Sequence, residues 1–150
     1  MKFNFEEIIE KIKESSVESS IYVGCDSYTR GDKINYVTAI VIHYDSCRGG
    51  KCFFDVTPEP RFESGNKVSM RKKLLKEVEL AVQTSLEIIE HVGQRPFQVH
   101  LDVNPDKRWA SSVVIKEAIA WATSQGLDVK VKPEAFAASS IADNYGRVCG

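Results

Sequence analysis

Two carboxylates stand where a carboxylate is costly. Asp26 ends the apolar run Ile21-Tyr22-Val23-Gly24-Cys25, and Asp102 lies inside the run Phe97 to Asn104. Both runs read as strands, being short, apolar and rich in β-branched or aromatic side chains. Period-two alternation puts Tyr22, Gly24 and Asp26 on one face of the first strand, and His100, Asp102 and Asn104 on one face of the second. Within a sheet covered by helices, such an acid must be paired, hydrogen-bonded or bound to a metal. Either acid alone reads as a strand-end cap on a nearby turn. Together they lie near the C-terminal ends of strands that can be neighbours, where α/β sheets collect their sites. Converging carboxylates make an oxygen-rich site that suits Mg²⁺ or Mn²⁺ better than zinc. Two such ions drive in-line displacement at a phosphodiester, lowering the pKa of an attacking water and stabilising the leaving oxygen.

The elements that must position these acids follow from the pattern of apolar residues. Phe5, Ile8, Ile9 and Ile12 recur at helical spacing over residues 4–15, and a Ser-rich stretch from Ser15 to Ser20 ends that helix. Three strands follow: Ile21 to Ser27, Asn35 to Tyr44, and Lys51 to Pro60, the last expected to end at Pro58 and Pro60. Their linkers, around Arg30-Gly31-Asp32 and Arg48-Gly49-Gly50, are too short for anything but antiparallel pairing. Residues 69–93 form a long helix closed by Gly93, with Leu74, Val78, Ala81, Val82, Ser85 and Ile89 along one stripe. A strand at 97–104, a helix at 111–126, a short strand from Leu127 to Pro133 and an Ala-rich helix over 134–145 complete the order. Helices alternating with strands in this half imply parallel pairing through right-handed crossovers. The expected fold is an α/β mixed five-stranded sheet, three antiparallel strands and then parallel βαβ units, flanked by helices.

The chain has 150 residues with 20 Lys and Arg against 21 Asp and Glu. That length predicts one domain over 1–150, with an N-terminal helix in 1–18 and a core over 20–147. No apolar run is long enough to span a bilayer, and the charged start lacks a signal-peptide core, so a soluble, cytoplasmic protein is expected. Four cysteines are then expected to be reduced. Cys47 and Cys52 can meet across a turn, but no second Cys or His pair accompanies them, so a structural zinc site is not supported. A near-neutral balance argues against binding nucleic acid by charge alone.

Basic and aromatic residues lie beside the acids. Lys67, Arg71, Lys72, Lys73 and Lys76 open the long helix, a run that reads as a solvated face or, beside a metal site, as a seat for a nucleic-acid backbone. Lys107-Arg108-Trp109 offers a similar seat with a stacking surface, although Trp109 and Trp121 read first as core or core-edge packing. Ser27, Asn104 and Lys132 are polar neighbours of the acids, and Lys132 suits a substrate phosphate. His100 reads either as a satisfied strand histidine or as a partner of Asp102. Cys25 is expected to turn into the core. On the long helix, Glu77 and Glu79 flank the apolar stripe equally, one on each side of Val78.

The segments Gly24-Cys25-Asp26-Ser27, 71–79, 99–106 and 132–147, in this order on these elements, resemble the RNase H superfamily, and most closely the bacterial RNase H-like family of the YkuK type. The resemblance implies metal ligands at Asp26 on the first strand, Asp102 on the fourth and Asp143 on the last helix, with Glu77 favoured over Glu79 on the long helix. Periodicity alone would leave Asp143 solvated, so its role comes from the resemblance. It further implies a two-metal Mg²⁺ or Mn²⁺ nuclease acting on RNA, an RNA–DNA hybrid or a structured junction, with Ser27, Lys73, Asn104 and Lys132 near the substrate. The alternative is a non-catalytic module of the same fold that binds nucleic acid or protein. Without a membrane span, no membrane partner is expected.

Overall fold

The computed structural model describes residues 2–46, 49–61, 67–101 and 112–131, with the backbone alone at 67–70 and 112–115. The elements are α1 (Phe5–Glu14), β1 (Ser20–Arg30), β2 (Lys33–His43), β3 (Gly50–Pro60), α2 (Lys67–Ile88), β4 (Phe97–Leu101), α3 (Ser112–Ser124) and β5 (Val129–Lys130). The strand order is β3-β2-β1-β4-β5. β1, β2 and β3 form an antiparallel meander, while β4 joins β1 in parallel and β5 joins β4 in parallel. This is the mixed sheet expected from the sequence. The Ala-rich stretch 134–145 lies outside the described residues.

Local chemistry accounts for the element ends. The Asn4 side chain accepts a hydrogen bond from the Glu7 N–H at 3.2 Å and caps α1, with Glu6 and Glu7 in the first turn and Lys11 and Lys13 in the last. Arg30 pairs with Lys33 across a two-residue turn in which Gly31 takes φ +61°, a backbone region that costs glycine nothing. α2 stops at Ile88, and Ile89–His91 tighten into a 3₁₀ turn. The change of winding puts Ile88, rather than the expected Ile89, fully inside.

β3 ends at Pro60, as expected, and takes in Pro58 on the way, with Asn35 opposite Pro58 and Lys33 opposite Pro60. The physical reason is position. β3 is the edge strand, and residues two apart turn their backbone nitrogens the same way, so both prolines can leave the outer side without a donor.

One face of the sheet carries the main core. Ile21, Val23 and Cys25 of β1, Ile34, Tyr36, Ile40 and Ile42 of β2, and Val99 and Leu101 of β4 are buried with residues of all three helices. The opposite face holds a smaller cluster of Val37, Ala39 and Phe54. Trp121, expected at the core or its edge, is 44% exposed on α3, and Trp109 lies outside the described residues. No described helix is long and apolar enough to cross a membrane.

Candidate metal-binding active site

The site lies on β1 beside the last described residue of β4. Among the described residues the last β1–β4 pair is Cys25 with Leu101, and on its other side β1 goes on to pair Asp26 with Val37 and Ser27 with Tyr36. Alternation therefore turns Cys25 and Ser27 toward α2 and Asp26 toward the opposite face. Cys25 is 2% exposed and Asp26 half-buried, as that alternation predicts.

α2 brings the second acid. Glu77 lies on its buried face beside Val78, Ala81 and Val82, and is only 9% exposed. Ser27 Oγ donates a hydrogen bond to Glu77 Oε1 at 3.2 Å, while the Ser27 N–H donates to Asp26 Oδ1 at 2.8 Å. Ser27 thus hydrogen-bonds two carboxylates, its own neighbour Asp26 through the backbone and Glu77 of α2 through the hydroxyl. Glu79 is half-buried and accepts a hydrogen bond from Gln83 Nε2 at 3.2 Å along its own helix. Lys73, half-buried, precedes Glu77 by about one helical turn. Lys76 pairs with Glu59 at 3.3 Å, while Arg71 and Lys72 are exposed.

The neighbours feel the negative charge. Burial pushes the Tyr36 phenol up to about 12, with Glu77 and then Glu59 adding to the effect. The Cys25 thiol is pushed up as well, chiefly by burial. A hydrogen bond from Thr38 at 3.5 Å opposes the rise, and Glu77, Asp26 and Asp55 reinforce it. A thiol held protonated in this way is neither a nucleophile nor a metal ligand. Tyr36 carries no signal in the sequence, because only the β1–β2 register shows it opposite Ser27.

His100 is a packed strand histidine. It is fully buried, stacks obliquely on Tyr22 with ring centroids 4.9 Å apart, and its Nε2 meets Gln98 Oε1 at 3.0 Å. Burial lowers its pKa to about 4, against a small upward pull from Asp128, and Lys130 lowers it further. The unfolded chain, with an ordinary histidine near 6.5, binds the proton first on acidification. Stability carried by neutral His100 is therefore full above about pH 6.5 and falls as pH drops toward about 4. Urea unfolding in chelator at pH 7 and 4.5 is expected to show that His100→Gln removes on the order of 2 kcal/mol of the wild-type pH dependence. Equal dependence in the two proteins would refute this.

Asp102, Asn104, Lys132 and Asp143 lie outside the described residues, as does Cys47. Among the described residues no group of three or more His, Cys, Asp and Glu side chains could hold a metal. What is present are two oxygen donors tied to one serine, the donor type a hard divalent cation takes. A family model described as Ribonuclease H-like matches residues 4–147. The chain belongs to the ribonuclease H-like family. It is also 23% identical to "Uncharacterized protein YkuK" of Bacillus subtilis (strain 168), over 96% of this chain and 91% of that protein. No solved structure matches at a comparable level. The family suggests a nuclease or nucleic-acid-binding role for this ribonuclease H-like chain.

Proposed function

We propose that this ribonuclease H-like protein is a Mg²⁺- or Mn²⁺-dependent phosphodiester hydrolase acting on RNA, an RNA–DNA hybrid or structured nucleic acid. The observation that carries the reading is the pair of hydrogen bonds from Ser27, one to Asp26 and one to Glu77, next to the Cys25–Leu101 pair of β1 and β4. Asp26 and Glu77 would hold the metal together with Asp102, which follows Leu101 directly in the chain, and Asp143. When bound, a pair of ions supplies the positive charge that activates water and stabilises the leaving oxygen. Ser27 hydrogen-bonds each of the first two, Asp26 through its own N–H and Glu77 through its hydroxyl. Lys73, Asn104 and Lys132 are the candidate contacts to the substrate backbone.

The rival is a non-catalytic module, favoured by the net charge of -1. Two measurements separate them: calorimetry with Mn²⁺, and cleavage of labelled RNA, hybrid and junction substrates with Mn²⁺ or with chelator. Metal binding and metal-dependent cleavage, both lost in Asp26→Asn, are expected. Absence of metal binding, or binding and cleavage unchanged by Asp26→Asn, would favour the rival.

A further inference from the structure

Beyond Asp26, the β1–β2 ribbon carries on past the end of the described β4. Its residues on the Asp26 face form a graded row. Asp26 is opposite Val37, Tyr28 opposite Asn35, and Arg30 opposite Lys33. At about 3.4 Å per residue, Tyr28 lies roughly 7 Å and Arg30 roughly 14 Å along the strand from Asp26. Tyr28 is 41% exposed, a large aromatic side chain left in solvent two residues beyond Asp26 on the same face. Asn35 is half-buried, and Arg30 and Lys33 are exposed, with neither cation in an ion pair among the described residues. Arg61 joins them at the tip, where its N–H donates to Asp32 O at 2.9 Å and its guanidinium to Gly31 O at 3.3 Å. Among the described residues from 30 to 33 and at 61, the tip carries Arg30, Lys33 and Arg61 with the carboxylate of Asp32.

From this placement we infer that the ribbon face Tyr28–Asn35–Arg30–Lys33 is the track along which a single-stranded segment of nucleic acid enters the site. The inference rests on the proposed function and adds the strandedness of the substrate and the residues that receive it. An exposed aromatic ring is a stacking platform for a base, and a base is free to stack only where it is unpaired. The two cations beyond it suit the phosphates of the next few nucleotides. Asn35, beside Tyr28, can offer hydrogen bonds to a base edge or sugar. Charge also rises in the useful direction, negative at Asp26 and positive at the tip, so a strand bound by its phosphates lays its remaining length toward the acids.

The test uses the full chain carrying Asp26→Asn in chelator, so that binding is read without metal or cleavage, with a labelled oligonucleotide followed by fluorescence anisotropy. Tyr28→Ala is expected to weaken single-strand binding about 5- to 100-fold, and Tyr28→Phe to restore most of it. Replacing both Arg30 and Lys33 by Ala is expected to flatten the dependence of log affinity on log salt by about 1.4, at about 0.7 for each phosphate no longer neutralised. A blunt duplex of the same sequence is expected to bind more weakly and to lose little with Tyr28→Ala. No single-strand binding, affinity indifferent to all of these changes, or equal losses on duplex and single strand would overturn the inference. Metal-dependent cleavage by the otherwise unaltered protein, together with binding indifferent to the ribbon, overturns the track and leaves the hydrolase reading standing. Ribbon-dependent binding without any cleavage does the reverse.

Discussion

Glu77→Gln is expected to lower metal-dependent cleavage by on the order of 10²–10³-fold, whereas Glu79→Gln leaves it within about twofold. The two glutamates flank the same apolar stripe, and composition does not separate them. Their surroundings do. Glu77 faces β1 and receives the Ser27 hydroxyl at 3.2 Å, while Glu79 is engaged by Gln83 along the helix. Gln at position 77 keeps the shape and one acceptor for Ser27 but removes the charge a divalent cation needs. Loss should therefore appear both in cleavage rate and in calorimetric Mn²⁺ affinity, with the unfolding midpoint little changed. If Glu79→Gln proves the damaging change and Glu77→Gln the silent one, the metal sits on the other side of the α2 stripe.

Arg95→Ala is expected to cost about 2–3 kcal/mol of folding stability, far from the acids and without altering metal affinity. Arg95 is half-buried and binds the carbonyl ends of two helical segments at once. Its guanidinium donates to Ser15 O at 2.6 Å, Ser15 Oγ at 3.0 Å, Val92 O at 3.1 Å, Ser16 O at 3.2 Å and Lys13 O at 3.4 Å. Those carbonyls close α1 and the turn after α2, where a cation also meets the negative end of the helix dipole. Lys cannot reproduce a planar fork that serves several acceptors, so Arg95→Lys should recover less than half of the loss. For a chain of this size the melting temperature of Arg95→Ala should fall by roughly 5–10 °C. A fall within about 1 °C would mean that water replaces the guanidinium at no cost.

The meander and the helices are legible in the sequence because their apolar periodicities are strong and their turns carry glycine. The prolines of β3 mark where it ends, but sequence shows only missing donors and not that the strand lies at an edge. Trp121 misleads. Helical spacing places it on a face of α3, and only packing tells whether that face is covered. In the candidate site, Asp26 stands out as an acid ending an apolar run, whereas only the family resemblance favours Glu77 over Glu79. The tie that Ser27 makes does not stand out, because a serine gives no sign that its partner lies 50 residues away on another element. Tyr28 sits two residues beyond Asp26 on the same face, where the alternation that places Asp26 also leads.

The two prolines in β3 also bear on how copies of this chain meet one another. A strand of 11 residues at the border of a sheet is a template on which a second sheet can grow, each outward N–H and C=O inviting a partner. Pro58 and Pro60 withdraw two donors at one end of that template, and exposed Lys51 puts a charge at the other. Edge-to-edge growth is left only the stretch between them, so the border that the meander cannot close by pairing is narrowed by chemistry instead.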